Sequence, residues 1–220
     1  MSFFARLREA AGPDWTAYVE HPFVRQMQDG TLPQAAFRHY LVQDYLFLIQ
    51  FARAYALAIY KSPTLGDMRH ALSGVRAILD MEMDLHVELC AGWGLSREDL
   101  EKAREERQTM AYTRFVLDAG GQGDLLDLLV ALAPCVLGYA EIGARLAKTP
   151  SGSDPQNPYA RWISEYASDA YQDVAASFAA WMDKLAADYE TPARRMRLEH
   201  LFRQASILEA DFWQMGLERA

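Results

Sequence analysis

Cysteine is nearly absent: the 220 residues hold Cys90 and Cys135 and no other, so at most one disulfide could form and covalent staples do not hold this fold together. Positive charge is scarce as well. Twenty-two Lys and Arg stand against 30 Asp and Glu, the net charge is −8, and no basic cluster stands out. Phosphate recognition needs a concentrated basic face, so nucleic acid is excluded as an expected partner. A phosphorylated ligand is served equally poorly, because no glycine-rich loop with neighbouring Lys or Arg is present. Strand alternation, repeats and low-complexity tracts are missing too. The longest uncharged run, Leu128 to Ala140, falls short of the roughly 20 residues a bilayer requires. It is expected as a buried helix, and no membrane is expected as a partner. The opening MSFFARLREAAG lacks a secretory pattern, from which a reducing cytoplasm and two free thiols are expected.

What is present is helix. Half the residues are hydrophobic (51%) and a quarter charged (24%), a soluble globular profile with enough chain for one core. Asp29-Gly30 ends an opening segment, and Thr31-Leu32-Pro33-Gln34 reads as a capping box with proline in the first turn. The helix that follows is expected to reach about Lys61, stopped by Ser62-Pro63. A third is expected from Thr64 to Leu89, ending near Gly92 and Gly94. Ser96 with Asp99 opens a fourth, Asp124 caps a fifth that runs through Cys135 to about Lys148, and TPSGSDPQNP is a loop. Helices over 159–189 and 192–217 complete an all-α domain, residues 1–220, of seven or eight helices.

Three of these helices place charge where an amphipathic pattern calls for apolar side chains. Asp44 sits within the stripe Phe37, Tyr40, Leu41, Phe47, Leu48 and Phe51. Glu209 sits among Leu198, Phe202, Ala205, Leu208, Phe212 and Trp213. Glu82 and His86, one turn apart, are flanked by Val75, Ile78, Leu79, Leu85 and Leu89. A buried unpaired carboxylate costs several kcal/mol or shifts its pKa upward, so each needs a partner or a task. Read one at a time, Asp44 and Glu209 are structural acids, Glu82–His86 is an internal pair, and Tyr112, Tyr139 and Tyr166 are core. Cys135 alone is packing, yet Pro134 before it frees a carbonyl one turn back and kinks the helix, a defect that opens a cavity. Read together, a thiol, several carboxylates and aromatic walls describe a polar cavity suited to a flat heteroaromatic ligand. Ring faces would stack on Phe and Tyr while a carboxylate pairs with an amidine-like edge.

The strings HPFVRQMQDGTLP (21–33), QDYLFLIQFARAYA (43–56), MEMDLHVELC (81–90), AYTRF (111–115), PCVLGYAEIG (134–143), NPYARWISEY (157–166) and LEADFWQMG (208–216) recur in order and spacing nearly end to end. In them the chain resembles the TenA proteins, or thiaminase II. The resemblance implies the haem-oxygenase-like helical fold and cytoplasmic homotetramers; Trp181 and Trp213 are compatible with an interface or with the core. It implies hydrolysis at the methylene carbon of an aminopyrimidine, 4-amino-5-aminomethyl-2-methylpyrimidine, and in many members cleavage of thiamin. It casts Cys135 as nucleophile, Asp44 as the acid on the 4-amino and N3 edge, and Glu209 as acid–base residue. Phe47, Tyr112, Tyr139 and Tyr166 line the site, with Glu82 and His86 in support. A thiol at Cys135, where one subgroup has glutamate, matches the thiol-bearing subgroup. Phe47 replaces a tyrosine of some members, keeping stacking and losing a phenol; Val136 and Ala140 replace bulkier aromatics. No cofactor or metal is expected.

Two rival readings come from other classes. Inward Glu82 and His86, with Glu141 and Asp169, could form half of a dinuclear metal oxidase site, but a second histidine–acid pair is missing. A non-catalytic pyrimidine-binding regulator would have no need of the thiol, and one acting directly on DNA would need a basic surface. Cys90 is expected as packing at a helix end.

Overall fold

Helix boundaries fall where the local chemistry puts them. Ser96 caps the helix after it through a reciprocal box: its hydroxyl accepts from the Asp99 amide at 3.1 Å, and its own amide donates to Asp99 Oδ2 at 2.9 Å. Asp124 and Asp127 do the same for the next buried helix, with amide-to-carboxylate distances of 3.0 and 3.2 Å. Gly30 and Gly94 take φ of +71° and +74°, the left-handed conformation that ends a helix at little cost for glycine. Thr31 departs from expectation. Its amide and hydroxyl both turn back to the Gln26 carbonyl, closing the preceding helix, and the next helix begins at Gln34.

The computed structural model describes residues 1–219, with the side chains of Met81 and Leu85 outside the description; the expected stripe position Leu85 therefore lies outside it. Among the described residues there are thirteen α-helical and two π-helical segments and no strand. They are α1 (Phe3–Ala11), α2 (Pro13–Val19), α3 (Pro22–Gln28), α4 (Gln34–Lys61), α5 (Leu65–Arg76), π1 (Ala77–Glu82), α6 (Met83–Gly92), α7 (Arg97–Lys102) and α8 (Arg107–Gln122). After these come α9 (Leu125–Ala133), π2 (Pro134–Gly138), α10 (Tyr139–Leu146), α11 (Ala160–Ala167), α12 (Asp169–Tyr189) and α13 (Pro192–Leu217). The all-α expectation is met, and the larger number of segments comes from interruptions inside the expected helices. The third is α5–π1–α6 and the fifth is α9–π2–α10. A π segment inserts an extra residue into a turn, and such insertions gather at functional sites. Pro134 explains π2, since it lacks an amide and its ring crowds the carbonyl one turn back.

The chain forms two compact units. One comprises Met1–Pro33 and Val130–Gln214, built on α1–α3, π2 and α10–α12 with most of α13. Its core is aromatic: Trp15 stacks on Phe202 at 5.3 Å and Phe23 on Trp213 at 4.9 Å. Trp181 and Trp213 are both buried, which assigns them to the core. Asn157 ties the long loop to the end of α3, donating to the carbonyls of Met27 at 3.1 Å and Gln28 at 2.9 Å, and Tyr159 donates to the Leu32 carbonyl. The other unit comprises Gln34–Leu129 and the residues from Met215, with α4 packed against α5, α6 and α8. The α4 stripe is buried as expected, whereas Leu79 of the third-helix stripe is 52% exposed.

The helical stretch Leu125–Leu146 spans 22 residues, long enough to cross a bilayer once π2 keeps it continuous. The length argument from the uncharged run therefore does not hold, and the buried-helix expectation rests on burial instead: 89% of the stretch's most apolar window is buried within the protein.

His21 caps α3 with Nδ1 accepting from the Phe23 amide at 3.2 Å, which requires that nitrogen unprotonated, and burial lowers its pKa from 6.5 to about 4. The unfolded chain thus binds the proton first. His21's contribution is complete above pH 6.5 and is lost as pH falls toward 4. In thermal melts across that window, His21→Asn, which keeps a capping acceptor, should show a visibly flatter fall of Tm with acid than the wild type.

Candidate active site

The carboxylate of Asp44 is the deepest charge on α4, 5% exposed. Tyr40, one turn earlier, donates its hydroxyl to Oδ2 at 3.2 Å, and His86 Nδ1 of α6 faces the same oxygen at 3.5 Å. The other histidine nitrogen, Nε2, lies 2.8 Å from the Leu41 carbonyl. A carbonyl only accepts, so Nε2 carries a proton and Nδ1 is the atom that faces Asp44. Burial raises the Asp44 pKa, opposed first by His86 and then by Tyr40. Asp44 Oδ2 thus has a phenol and an imidazole nitrogen as its neighbours in a buried setting. Both nitrogens of His86 address α4, and Glu82, one turn earlier, is half-buried at the end of π1.

Gln43 fixes α4 against the approach to α8. Its side-chain carbonyl accepts from Thr109 Oγ1 at 2.6 Å and the Glu106 amide at 3.0 Å, and its amide donates to the Arg104 carbonyl at 3.0 Å. Tyr112, three residues after Thr109, is held in register by that clamp. Its ring meets Phe47 with centroids 5.2 Å apart at 34°. Asp44, His86, Phe47 and Tyr112 are therefore brought together in one unit. Cys90 belongs to the same unit. It is fully buried, and burial first and the Asp44 charge second push its thiol up to about 12, which makes it inert.

In the other unit, Cys135 is the second residue of π2 and is half-buried. Tyr139 follows at the start of α10, with its ring 5.0 Å from Tyr166, 5.8 Å from Trp162 and 5.4 Å from Trp213. Gly143 lets α11 approach: a Cβ there would lie 2.5 Å from the Tyr166 backbone. Gln172 then holds the Ala140 carbonyl at 3.0 Å and the Tyr166 carbonyl at 2.8 Å. Glu209 of α13 is 2% exposed, and Val136 and Ala140 are buried. Trp162, Gln172 and Gln43 escaped the sequence reading. Tyr40 was seen only as stripe, although its spacing of four from Asp44 is a legible signal.

Among the described residues, no group of three or more His, Cys, Asp or Glu side chains is placed to hold a metal ion. Glu141, one proposed member of such a set, pairs with Arg8 at 3.2 Å.

A model of the TENA/THI-4/PQQC family matches residues 8–219. The chain belongs to that family. An "Aminopyrimidine aminohydrolase" from Halalkalibacterium halodurans is 39% identical over 217 residues, covering 98% of this chain and 96% of that protein. The crystal structure of a "TenA family transcription regulator" from Silicibacter sp. superposes with a TM-score of 0.92 at 45% identity, covering 97% and 96% of the two chains. A domain from Shewanella denitrificans, described as having a heme oxygenase-like fold, superposes at 0.71 with 15% identity over 98% and 92% of the chains, a likeness of fold alone. The fold is the haem-oxygenase-like helical one that the sequence strings implied.

The Asp44–His86 couple carries a stability consequence. His86→Leu removes the imidazole that faces the buried Asp44 carboxylate at 3.5 Å and should cost roughly 1–3 kcal/mol at neutral pH. In urea unfolding series the loss should shrink in acid, where burial favours the protonated Asp44 carboxyl and a polar partner matters less.

Proposed function

We propose that this TenA-family protein is an aminopyrimidine aminohydrolase, a hydrolase acting on a C–N bond. Its substrate is 4-amino-5-aminomethyl-2-methylpyrimidine, with thiamin as a second substrate, and its product is the hydroxymethyl pyrimidine used in thiamin salvage. The observation that carries the reading is the contrast between the two thiols. Cys90 is sealed and held protonated, whereas Cys135 is half-buried on a π turn in the string PCVLGYAEIG.

Water alone displaces an amine from a ring-bound methylene slowly. Addition of the Cys135 thiolate to C6 of the pyrimidine breaks aromaticity, and the ring electrons then expel the amine, which leaves with a proton. Water adds to the exocyclic methylene, loses a proton, and expulsion of the thiolate restores the ring. In this scheme Asp44 pairs with the 4-amino and N3 edge. Its pKa, raised by burial, lets it meet that edge as acceptor or donor as ring charge changes. Glu209 protonates the departing amine and takes the proton of the incoming water. Tyr139 positions the thiol, and Phe47, Tyr112 and Tyr166 supply ring faces and phenols. Glu82 supports His86. None of these steps calls for a metal or organic cofactor.

The chain is read as one functional domain, residues 1–220, supported by the family match over 8–219. A homotetramer in the cytoplasm is the expected working form. Supporting self-association, Leu65, Met68, Leu72 and Leu79 are exposed by 61, 38, 40 and 52% and follow one another at intervals of three, four and seven residues on α5 and π1. The acidic balance of the chain, −8, offers no support for direct DNA binding as a regulator.

Steady-state hydrolysis of the aminomethyl pyrimidine and of thiamin tests the reading. Cys135→Ala should abolish turnover on both while equilibrium binding of the pyrimidine persists. Asp44→Ala should weaken binding by at least about tenfold as well as turnover. Substantial residual turnover in Cys135→Ala would remove the covalent step.

A further inference from the structure

The peptide group that joins Pro134 to Cys135 has one carbonyl and one amide in a single plane, so whatever holds the Pro134 carbonyl also holds the amide of Cys135. That carbonyl accepts a hydrogen bond from the phenol of Tyr18 on α2, at 3.1 Å. Tyr18 is 0% exposed and is itself immobilised, edge-on to Trp15 at 5.5 Å and stacked on Trp213 at 6.5 Å. The same phenol ring lies against the far end of π2. A Cβ added at Gly138 would stand 2.3 Å from Tyr18 Cε1 and 2.5 Å from its hydroxyl oxygen, distances no real side chain tolerates. One side chain therefore spans the π turn from first residue to last, with Cys135 between. A second phenol assists from α12: Tyr171 donates to the Val136 carbonyl at 3.4 Å, and its neighbour Gln172 holds the next turn at Ala140 at 3.0 Å.

A π turn lacks the regular hydrogen-bond ladder of an α-helix and is looser without outside partners. A nucleophile displaced by about 1 Å can lose about 100-fold in rate. From this we infer that Tyr18, assisted by Tyr171, is a positioning residue for the thiol: its bond to the Pro134 carbonyl sets the peptide plane, and hence the direction, of Cys135. The inference rests on the reading of Cys135 as the nucleophile. The role of Tyr18 is one of position. It acts through the backbone.

Tyr18→Phe removes the hydroxyl and keeps the ring against Gly138. Three quantities are measured on the intact protein: kcat and KM for the aminomethyl pyrimidine, the iodoacetamide alkylation rate at each cysteine by peptide mass spectrometry, and Tm. The expected result is a kcat lower by about tenfold or more with KM within about twofold. Alkylation of Cys135 should be faster, because the loosened turn exposes sulfur, while Cys90 stays unlabelled. Cys90, sealed in the other unit, serves as the internal reporter of general opening. Unchanged kcat and unchanged Cys135 labelling would overturn the inference, and so would Cys90 labelling that rises in parallel, since that marks a merely structural role. If Tyr18→Phe does not fold, Tyr171→Phe carries the same test through the Val136 carbonyl, with the same signature expected and the same two outcomes against it. A wild type that labels as described but turns over no pyrimidine would defeat the proposed function while leaving the labelling arm to decide the clamp.

Discussion

A proline inside a buried apolar helix removes one amide from a ladder in which every amide is needed, and no water stands ready to replace it. Everything on the thiol side of this protein follows from how that deficit is met. The helix widens into a π turn at Pro134–Gly138 instead of ending. Two phenols and a carboxamide then bring hydrogen-bond donors to carbonyls along and beyond it, from Tyr18, Tyr171 and Gln172. Glycines at 138 and 143 admit the Tyr18 ring and the Tyr166 backbone at distances that any Cβ would forbid. The result is a thiol on irregular backbone that is nonetheless held by several partners.

The acid side solves a different problem with the same economy. A carboxylate deep in an aromatic stripe is kept from being a pure liability by one phenol and one imidazole, both directed at Asp44 Oδ2. Burial still raises its pKa. An acid of that kind responds to a polar group brought beside it more readily than a surface aspartate does. Its field has a second effect: together with burial it suppresses ionisation of Cys90, so that one of the two thiols is silenced by the environment that supports the acid.

Much of this was legible in the residues because helical periodicity makes misplaced charge visible. Asp44, His86 and Glu209 stood out as polar groups in apolar stripes, and all three are buried. Caps at Ser96 and Asp124 were legible because they are local. Pro134 announced a defect at Cys135, though not that the helix would continue through it as a π turn. The π turn at Ala77–Glu82 has no such marker; Leu79 within it is exposed, and His86 beyond it meets α4. Thr31 was misread because its hydroxyl could serve either neighbouring helix, and tertiary packing chose the earlier one. Tyr18 gave no signal at all: its partner lies 116 residues away.

The strings that carry the family resemblance divide by physical task, and the division bears on what resemblance can prove. HPFVRQMQDGTLP and NPYARWISEY hold each other, through Asn157 on the Met27 and Gln28 carbonyls and Tyr159 on Leu32. Those contacts close a loop onto a helix end and would be needed by an enzyme, a binder or a regulator alike. QDYLFLIQFARAYA and MEMDLHVELC meet at Asp44 and His86, which again could serve binding alone. The thiol-bearing string is different. A ligand-binding pocket gains nothing from a half-buried cysteine on a widened turn, where an ordinary α-helical alanine would pack without needing phenols to satisfy the carbonyls around it. The placing of Tyr18, Tyr171, Gly138 and Pro134 around a single sulfur fits the proposed role of Cys135, because direction matters to bond formation far more than to packing.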